Sequence, residues 1–332
     1  MGAIDFHSHL AAGDPSKEPP FLRALFDVEG YLDHQEAAGV ETTVLSNALM
    51  TDVPGDELAW AQAQHEFLED LLSRHPGRFA ALAGVNPWAG ERWIEEAGRA
   101  LDAGFSGLVV EPGRDGRYLD APEAQDFFAF ANERAALVFV HPSQSPVSDE
   151  QTGDPMLTLW IGRPYDTGIC LTRMLMADTL GAYPEMKLVV AHAGGVIPML
   201  LGRLDRVHGV KKMIASFAAA GAKAGGGPPG GPPGAGGVSN GEDGGGPAAN
   251  PPAGEVPSMR MRSLYLDTAC YHPAGIVAAL AAVGVDHVVF GSDHPPVDPS
   301  PQPSVEVIEE MDLSAQDREK IMSANARRLL AR

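Results

Sequence analysis

Ala3-Ile4-Asp5-Phe6-His7-Ser8-His9-Leu10 stands almost at the start of the chain. Ile4, Phe6 and Leu10 suit a buried strand, and side chains two apart on a strand share a face, so Asp5, His7 and His9 are expected to project together. Two neutral imidazoles held side by side on a stiff element are good donors for zinc and its neighbours. A lone His-x-His pair is equally compatible with two satisfied core histidines. Its meaning depends on what the ends of other strands carry.

Seven further apolar runs follow, most of them ending in polar residues, Gly or Pro: Glu41–Asn47, Arg78–Pro87, Phe105–Glu111, Ala136–His141, Lys187–His192, Ser263–Ala269 and His287–Asp293. Between them lie stretches of helical periodicity. In Glu57–Arg74, Leu58, Ala61, Leu68, Leu71 and Leu72 fall near a 3.6-residue period, with Asp56 placed as N-cap. Gly90–Ala103, Ala121–Ala135, Thr167–Leu180, Ile197–Phe217, Pro273–Ala282 and Ser314–Leu330 are the others. Alternating strands and helices imply a parallel sheet, and eight such units imply a (β/α)8 TIM barrel. An open doubly wound sheet is the competing arrangement, but no Gly-x-Gly-x-x-Gly turn follows the first strand.

The 332 residues are 44% hydrophobic and 20% charged, which suits a soluble globular protein, and one domain is expected over 1–332. From Gly221 to Gly254, 14 glycines and 7 prolines interrupt the pattern between the sixth helix and the seventh strand. Such a composition buries too little apolar surface to order itself. Only two strands remain beyond it, too few for a second domain, so 221–254 is read as a disordered loop inserted in the barrel. The net charge of −20 argues against nucleic acid and against a polybasic membrane contact. Cys170 and Cys270 are the only cysteines, so neither a disulfide framework nor a cysteine zinc module is expected. No secretory leader or membrane-length apolar run is apparent, and a cytoplasmic location is the expectation.

Barrels of this kind build their active sites at the C-terminal ends of the strands. His7 and His9 end the first strand, His141 the fifth in Val138-Phe139-Val140-His141-Pro142, and His192 the sixth in Val190-Ala191-His192-Ala193-Gly194-Gly195. Asp293 ends the eighth in Gly291-Ser292-Asp293-His294-Pro295. Four imidazoles and a carboxylate at equivalent ends of different strands are hard to explain as separate core or capping residues.

The Asp-x-His-x-His opening, the Ala-His-Ala-Gly-Gly stretch and the Gly-Ser-Asp-x-Pro ending resemble the amidohydrolase superfamily. The likeness is to its aminocarboxymuconate-semialdehyde decarboxylase-like branch and covers the chain outside the Gly/Pro insertion. The resemblance implies that His7, His9, His141 and Asp293 bind one divalent ion, zinc or a similar metal, with a water. It also implies that His192 is the catalytic base, acting with Asp293. Three imidazoles and one carboxylate would leave the ion net positive and able to acidify that water, and imidazole titrates near the working pH.

Arg203, eleven positions after His192, matches a family arginine that reaches into the neighbouring subunit and grips a substrate carboxylate. That implies a homodimer. The other reading of Arg203 is a solvated helix cation beside Asp205. Trp160, expected in a long loop after the fifth strand, resembles an aromatic wall of the family pocket or serves as a loop anchor. The family's second arginine has no counterpart in Ala48–Pro54. His294 stands where many relatives carry an aromatic residue and would make that pocket wall more polar. Glu111 either adds a carboxylate to the rim or forms a salt bridge. The resulting expectation is a metal-dependent decarboxylase of a small unsaturated or aromatic carboxylic acid. The alternatives are a hydrolase of an amide or lactone at the same metal, or a scaffold whose histidines store metal.

Overall fold

The protein is described here from a computed structural model covering residues 2–46, 55–223, 256–295 and 297–331. Eight parallel strands follow one another around a barrel in chain order: β1 (Ala3–Ser8), β2 (Val40–Ser46), β3 (Phe79–Gly84), β4 (Gly107–Val110), β5 (Leu137–Val140), β6 (Lys187–Val190), β7 (Tyr265–Asp267) and β8 (Val288–Val289). Closure is made by the backbone: Phe6 N–H donates to Phe290 O at 2.8 Å, Asp293 N–H to His7 O at 2.8 Å, and His9 N–H to His294 O at 3.0 Å. The longer helices among the described residues are α1 (Val28–Ala37), α2 (Glu57–Arg74), α3 (Glu91–Ala103), α4 (Gln125–Glu133), α5 (Pro155–Ala177), α6 (Ile197–Lys223), α7 (Pro273–Val283) and α8 (Gln302–Glu310). A C-terminal helical run from Ala315 to Leu330 includes a π-turn at Lys320–Ala324. Seven of the eight expected strands contain an observed one, and β2 overlaps the expected Glu41–Asn47 but starts one residue earlier, at Val40. None of the helices among the described residues is long and apolar enough to cross a membrane.

Strand alternation sorts the core into two layers. Val109, Phe139 and Val189 pack in the barrel interior with Ile4, Phe6, Val44 and Leu82, and Ala326 and Leu329 of the C-terminal run join them. Their neighbours Leu108, Val110, Val138, Val140, Leu188 and Val190 face the helices instead. On β5 the same alternation carries His141 to the inward face two residues past Phe139. On β1 the pairing with β2 is irregular between Asp5 and Ser8, and such irregularities re-aim side chains. Asp5, flanked by the inward Ile4 and Phe6, faces away from the interior and does not join the histidines as expected. Its buried carboxylate accepts from Ser292 Oγ at 2.5 Å and Ser292 N–H at 3.0 Å, tying the first strand to the segment after β8.

Two helices, α5 and α6, run well past a bound read from the sequence, and two more were not expected. α5 begins twelve residues before Thr167, where Asp154 caps the Met156 N–H. α6 continues to Lys223, so its last turn includes the first residues assigned to the insertion, and 224–255 lie outside the described residues. α1 and α8 were not expected; α1 buries only Tyr31 and Gln35, too little to print an apolar period.

Removing the Ser292 hydroxyl would leave the buried Asp5 carboxylate short of a donor. Ser292→Ala is expected to lower unfolding stability by ~1–3 kcal/mol, the cost of an unsatisfied buried polar group. The measurement is the denaturant midpoint, and an unchanged midpoint would show that the Asp5–Ser292 clasp does not help hold the barrel closed.

Candidate metal centre and active site

His7, His9, His141, His192 and Asp293 meet at the C-terminal rim of the barrel. The imidazole centroids of His7 and His141 are 4.7 Å apart, those of His9 and His141 4.8 Å, and those of His7 and His192 5.2 Å. Asp293 lies among them: Oδ1 is 3.0 Å from His9 Nε2 and 3.3 Å from His7 Nε2, and Oδ2 is 3.3 Å from His192 Nε2. One donor atom from each of His7, His141, His192 and Asp293 falls within 4.8 Å of all the others.

Hydrogen bonds behind the rings decide which nitrogens point inward. His9 Nδ1 donates to Ser46 O at 2.8 Å, and because a carbonyl only accepts, Nε2 is left with its lone pair toward the site. His7 Nδ1 lies 2.6 Å from Asp267 Oδ2, which orients Nε2 in the same way. Such outer partners commonly orient metal-ligating imidazoles. Asp267 Oδ1 in turn accepts from Ala193 N–H at 2.9 Å, linking the first ring to the turn that carries His192. His7 Nε2 and both His141 nitrogens are buried without a hydrogen-bond partner.

The electrostatics favour a cation at this point. Burial alone would lower the His7 pKa, but Asp293 and Asp267 outweigh it and push it up to about 10. Burial would raise Asp293, yet His7, His192 and His9 hold it well below the usual carboxylate range. His141 is driven well below its ordinary value by burial and by the neighbouring imidazoles, so it is a neutral lone-pair donor. A divalent ion would satisfy the carboxylate and the orphaned nitrogens together. The donor set therefore fits a metal.

Four rim residues other than glycine adopt the left-handed region: His192 (φ 55°), Ala193 (φ 54°), Tyr271 (φ 57°) and Asp293 (φ 57°). Left-handed backbone at such residues clusters at functional sites. Tyr271 was not found from the sequence; its hydroxyl donates to Asp293 Oδ2 at 3.2 Å, and burial with Asp293 and Asp267 nearby keeps it protonated.

The amidohydrolase family model matches residues 4–332, nearly the entire chain. The chain belongs to the amidohydrolase family. Within it, this amidohydrolase falls in the aminocarboxymuconate-semialdehyde decarboxylase-like branch. It is 28% identical over 157 residues to the 2-amino-3-carboxymuconate-6-semialdehyde decarboxylase of Dictyostelium discoideum, covering 47% of this chain and 43% of that protein. It is thus aligned with less than half of that relative's length. It is 27% identical over 231 residues to the 6-methylsalicylic acid decarboxylase of Penicillium expansum, covering 61% of this chain and 67% of that one. The fold matches that of a dihydroxybenzoic acid decarboxylase from Polaromonas sp. solved with manganese and 2-nitroresorcinol. The TM-score is 0.76 at 20% identity, with 99% of this chain and 96% of that one covered.

Other residues singled out in the sequence lie apart from the amidohydrolase cluster or take different roles. Trp160 stands on α5 rather than in a loop, is 52% exposed, and donates from Nε1 to Met156 Sδ at 3.0 Å. Arg203 is exposed on α6. His294 turns away from the rim, stacking on Tyr31 with centroids 5.0 Å apart and placing Nδ1 2.7 Å from Asp298 O. Glu111 takes the salt-bridge role, accepting from Arg114 Nε at 2.6 Å. Ala48–Pro54 lie outside the described residues.

Asp267 makes no direct bid for the ion, yet it sets the tautomer of His7. Asp267→Asn should weaken metal affinity by ~10–100-fold while leaving the fold intact, as loss of an outer-shell partner commonly does. Competition with a chelator reads the affinity directly, and an unchanged value would remove Asp267 from the site.

Proposed function

We propose that this protein is a metal-dependent carboxy-lyase acting on a small aromatic or unsaturated carboxylic acid. The observation that carries the reading is the convergence of His7, His9, His141, His192 and Asp293, with imidazole nitrogens buried and unpartnered. The names of relatives such as the 6-methylsalicylic acid and gamma-resorcylate decarboxylases support the reaction and the substrate class. His7, His9, His141 and Asp293 would hold one divalent ion. Zinc suits a histidine-rich donor set, whereas the Polaromonas decarboxylase was solved with manganese.

When bound, the ion would supply Lewis-acid polarisation of a substrate oxygen. The residues of the chain supply the proton chemistry. His192, against Asp293 Oδ2, is the group to hold the proton that ends on the carbon from which CO2 departs. The carbon–carbon bond breaks, CO2 leaves and a carbon–hydrogen bond takes its place. Tyr271 and His192 share Asp293 Oδ2, so the carboxylate is fixed from two sides while His192 acts. A hydrolase of an amide or lactone would use the same arrangement.

Turnover in heavy-oxygen water separates the two. Stoichiometric CO2 with a solvent-derived hydrogen at the vacated carbon is expected, whereas labelled oxygen in a cleaved acyl group without CO2 would establish hydrolysis. In the same assay His192→Asn should keep about one metal ion per chain and lose ~10²–10⁴-fold of the rate, the usual contribution of a general acid–base. Metal loss equal to that of His7→Ala would make His192 a ligand instead.

The partner proposed is a second copy of the chain. α5 and α6 leave Trp160, Ile161, Tyr165, Met199, Val210 and Ile214 exposed, more apolar side chains than a monomer normally leaves in water. Arg203 is exposed on one of these helices, and so is available to a site in the other subunit. If the site is shared, mixing inactive Arg203→Ala with inactive His192→Asn should restore part of the activity through hybrid dimers. No recovery in demonstrated hybrids would count against a shared site.

A further inference from the structure

Arg163 was not singled out in the sequence. It occupies the middle of α5, and both of its neighbours are pinned to segments that follow rim histidines. On one side, a Cβ built on Gly162 would lie 1.7 Å from Ser145 Oγ and 2.9 Å from Val147 Cγ2, so the helix is pressed against the loop that follows His141. On the other side, a Cβ on Gly195 would lie 2.3 Å from Pro164 O, so the same turn of helix bears on the loop that follows His192. Gly195 also has a φ of 62°, which favours glycine for a second reason. The turn carrying Arg163 is thereby wedged between the segments leaving β5 and β6.

The Arg163 guanidinium has no ion pair among the described residues, and its Nε is buried without an acceptor. Asp166, three residues further along the helix, has a buried oxygen of its own without a partner and does not pair with it. Burial lowers the Arg163 pKa, and the acid that opposes the shift is Asp293. A charged donor buried without an acceptor, as Nε is here, is costly unless something satisfies it. Among the described residues no side chain supplies an acceptor to Arg163 Nε, which leaves room for a ligand to do so.

We infer that Arg163 is a substrate-binding residue that receives the carboxylate of the acid beside the metal centre, from within the same subunit. The inference rests on the carboxy-lyase reading and supplies an anion-binding group that does not depend on a partner chain. A planar guanidinium can present two parallel N–H donors to a carboxylate, which a point charge cannot. Arg163 would then hold the leaving group's oxygens while His192 and Asp293 attend to the carbon that is left.

The test is calorimetric binding of salicylate, with phenol as the probe lacking a carboxylate, to metal-loaded wild type, Arg163→Met and Arg163→Lys. Metal content and melting temperature are recorded for each. Wild type is expected to prefer salicylate. Arg163→Met should bind salicylate ~10–100-fold more weakly, the worth of a charged hydrogen bond, with phenol affinity nearly unchanged. Arg163→Lys should recover part of the loss. Equal loss for both probes, or no loss for salicylate in either folded variant, overturns the assignment to Arg163 while leaving the lyase reading in place. If Arg163→Met fails to fold, a Lys variant with wild-type salicylate-over-phenol preference and no weakening overturns it equally. If wild type binds neither salicylate nor other aromatic acids, the substrate class itself falls, and this inference with it.

Discussion

A carboxylate buried at the mouth of a barrel must be compensated, and the way Asp293 is compensated organises everything around it. Removing an ionised carboxylate from water costs several kcal/mol even after relaxation. Three imidazoles lie within 3.3 Å of its two oxygens, and the Tyr271 hydroxyl adds a hydrogen bond. The imidazoles in turn need their outer nitrogens occupied. Asp267 and Ser46 O supply partners for His7 and His9, whereas His141 and His192 Nδ1 are left without one. Such an arrangement is half-satisfied as protein alone and complete only with a cation at its centre, which is the physical basis for treating it as a metal site.

Holding these groups together requires backbone that the chain would not choose locally. His192, Ala193, Tyr271 and Asp293 all take positive φ, at about 1–3 kcal/mol each. The parallel ladder below them supplies the rigidity. β5 and β6 are buried along nearly their whole length, and Asp293 is held by its N–H to His7 O. Strain is thus concentrated in the few residues after the strands, while the strands stay regular. Chemistry placed at those ends is positioned by buried, hydrogen-bonded strands.

The barrel was legible because its signals are local. Each strand is an apolar run, and α2 was read with its boundaries because Leu58, Ala61, Leu68 and Leu71 are all buried at a helical period. Where that period fades, the reading fades with it. The first turns of α5 expose Met156, Leu157 and Trp160. They carry apolar residues for a reason other than the barrel core, and no inward stripe marks them as helix. Asp5 shows the opposite failure: its spacing with His7 and His9 was read as one shared face, but Ile4 and Phe6 on either side of it point inward, and its side chain meets Ser292 instead.

From the residues alone came the eight-fold repeat, the donors at strand ends and the sixth-strand histidine, because hydrophobic period and residue chemistry are written in consecutive positions. Tertiary structure decided which nitrogen of each imidazole faces inward, and it brought in Asp267 and Tyr271. It also turned His294 away and left Arg163 Nε buried without an acceptor among the described residues. These depend on contacts between distant segments: His7 and Asp267 are separated by 260 residues, and Gly195 meets Pro164 only after two helices have packed. No local pattern encodes such a meeting, because it is fixed by the closure of the barrel and by which atoms are then left without partners.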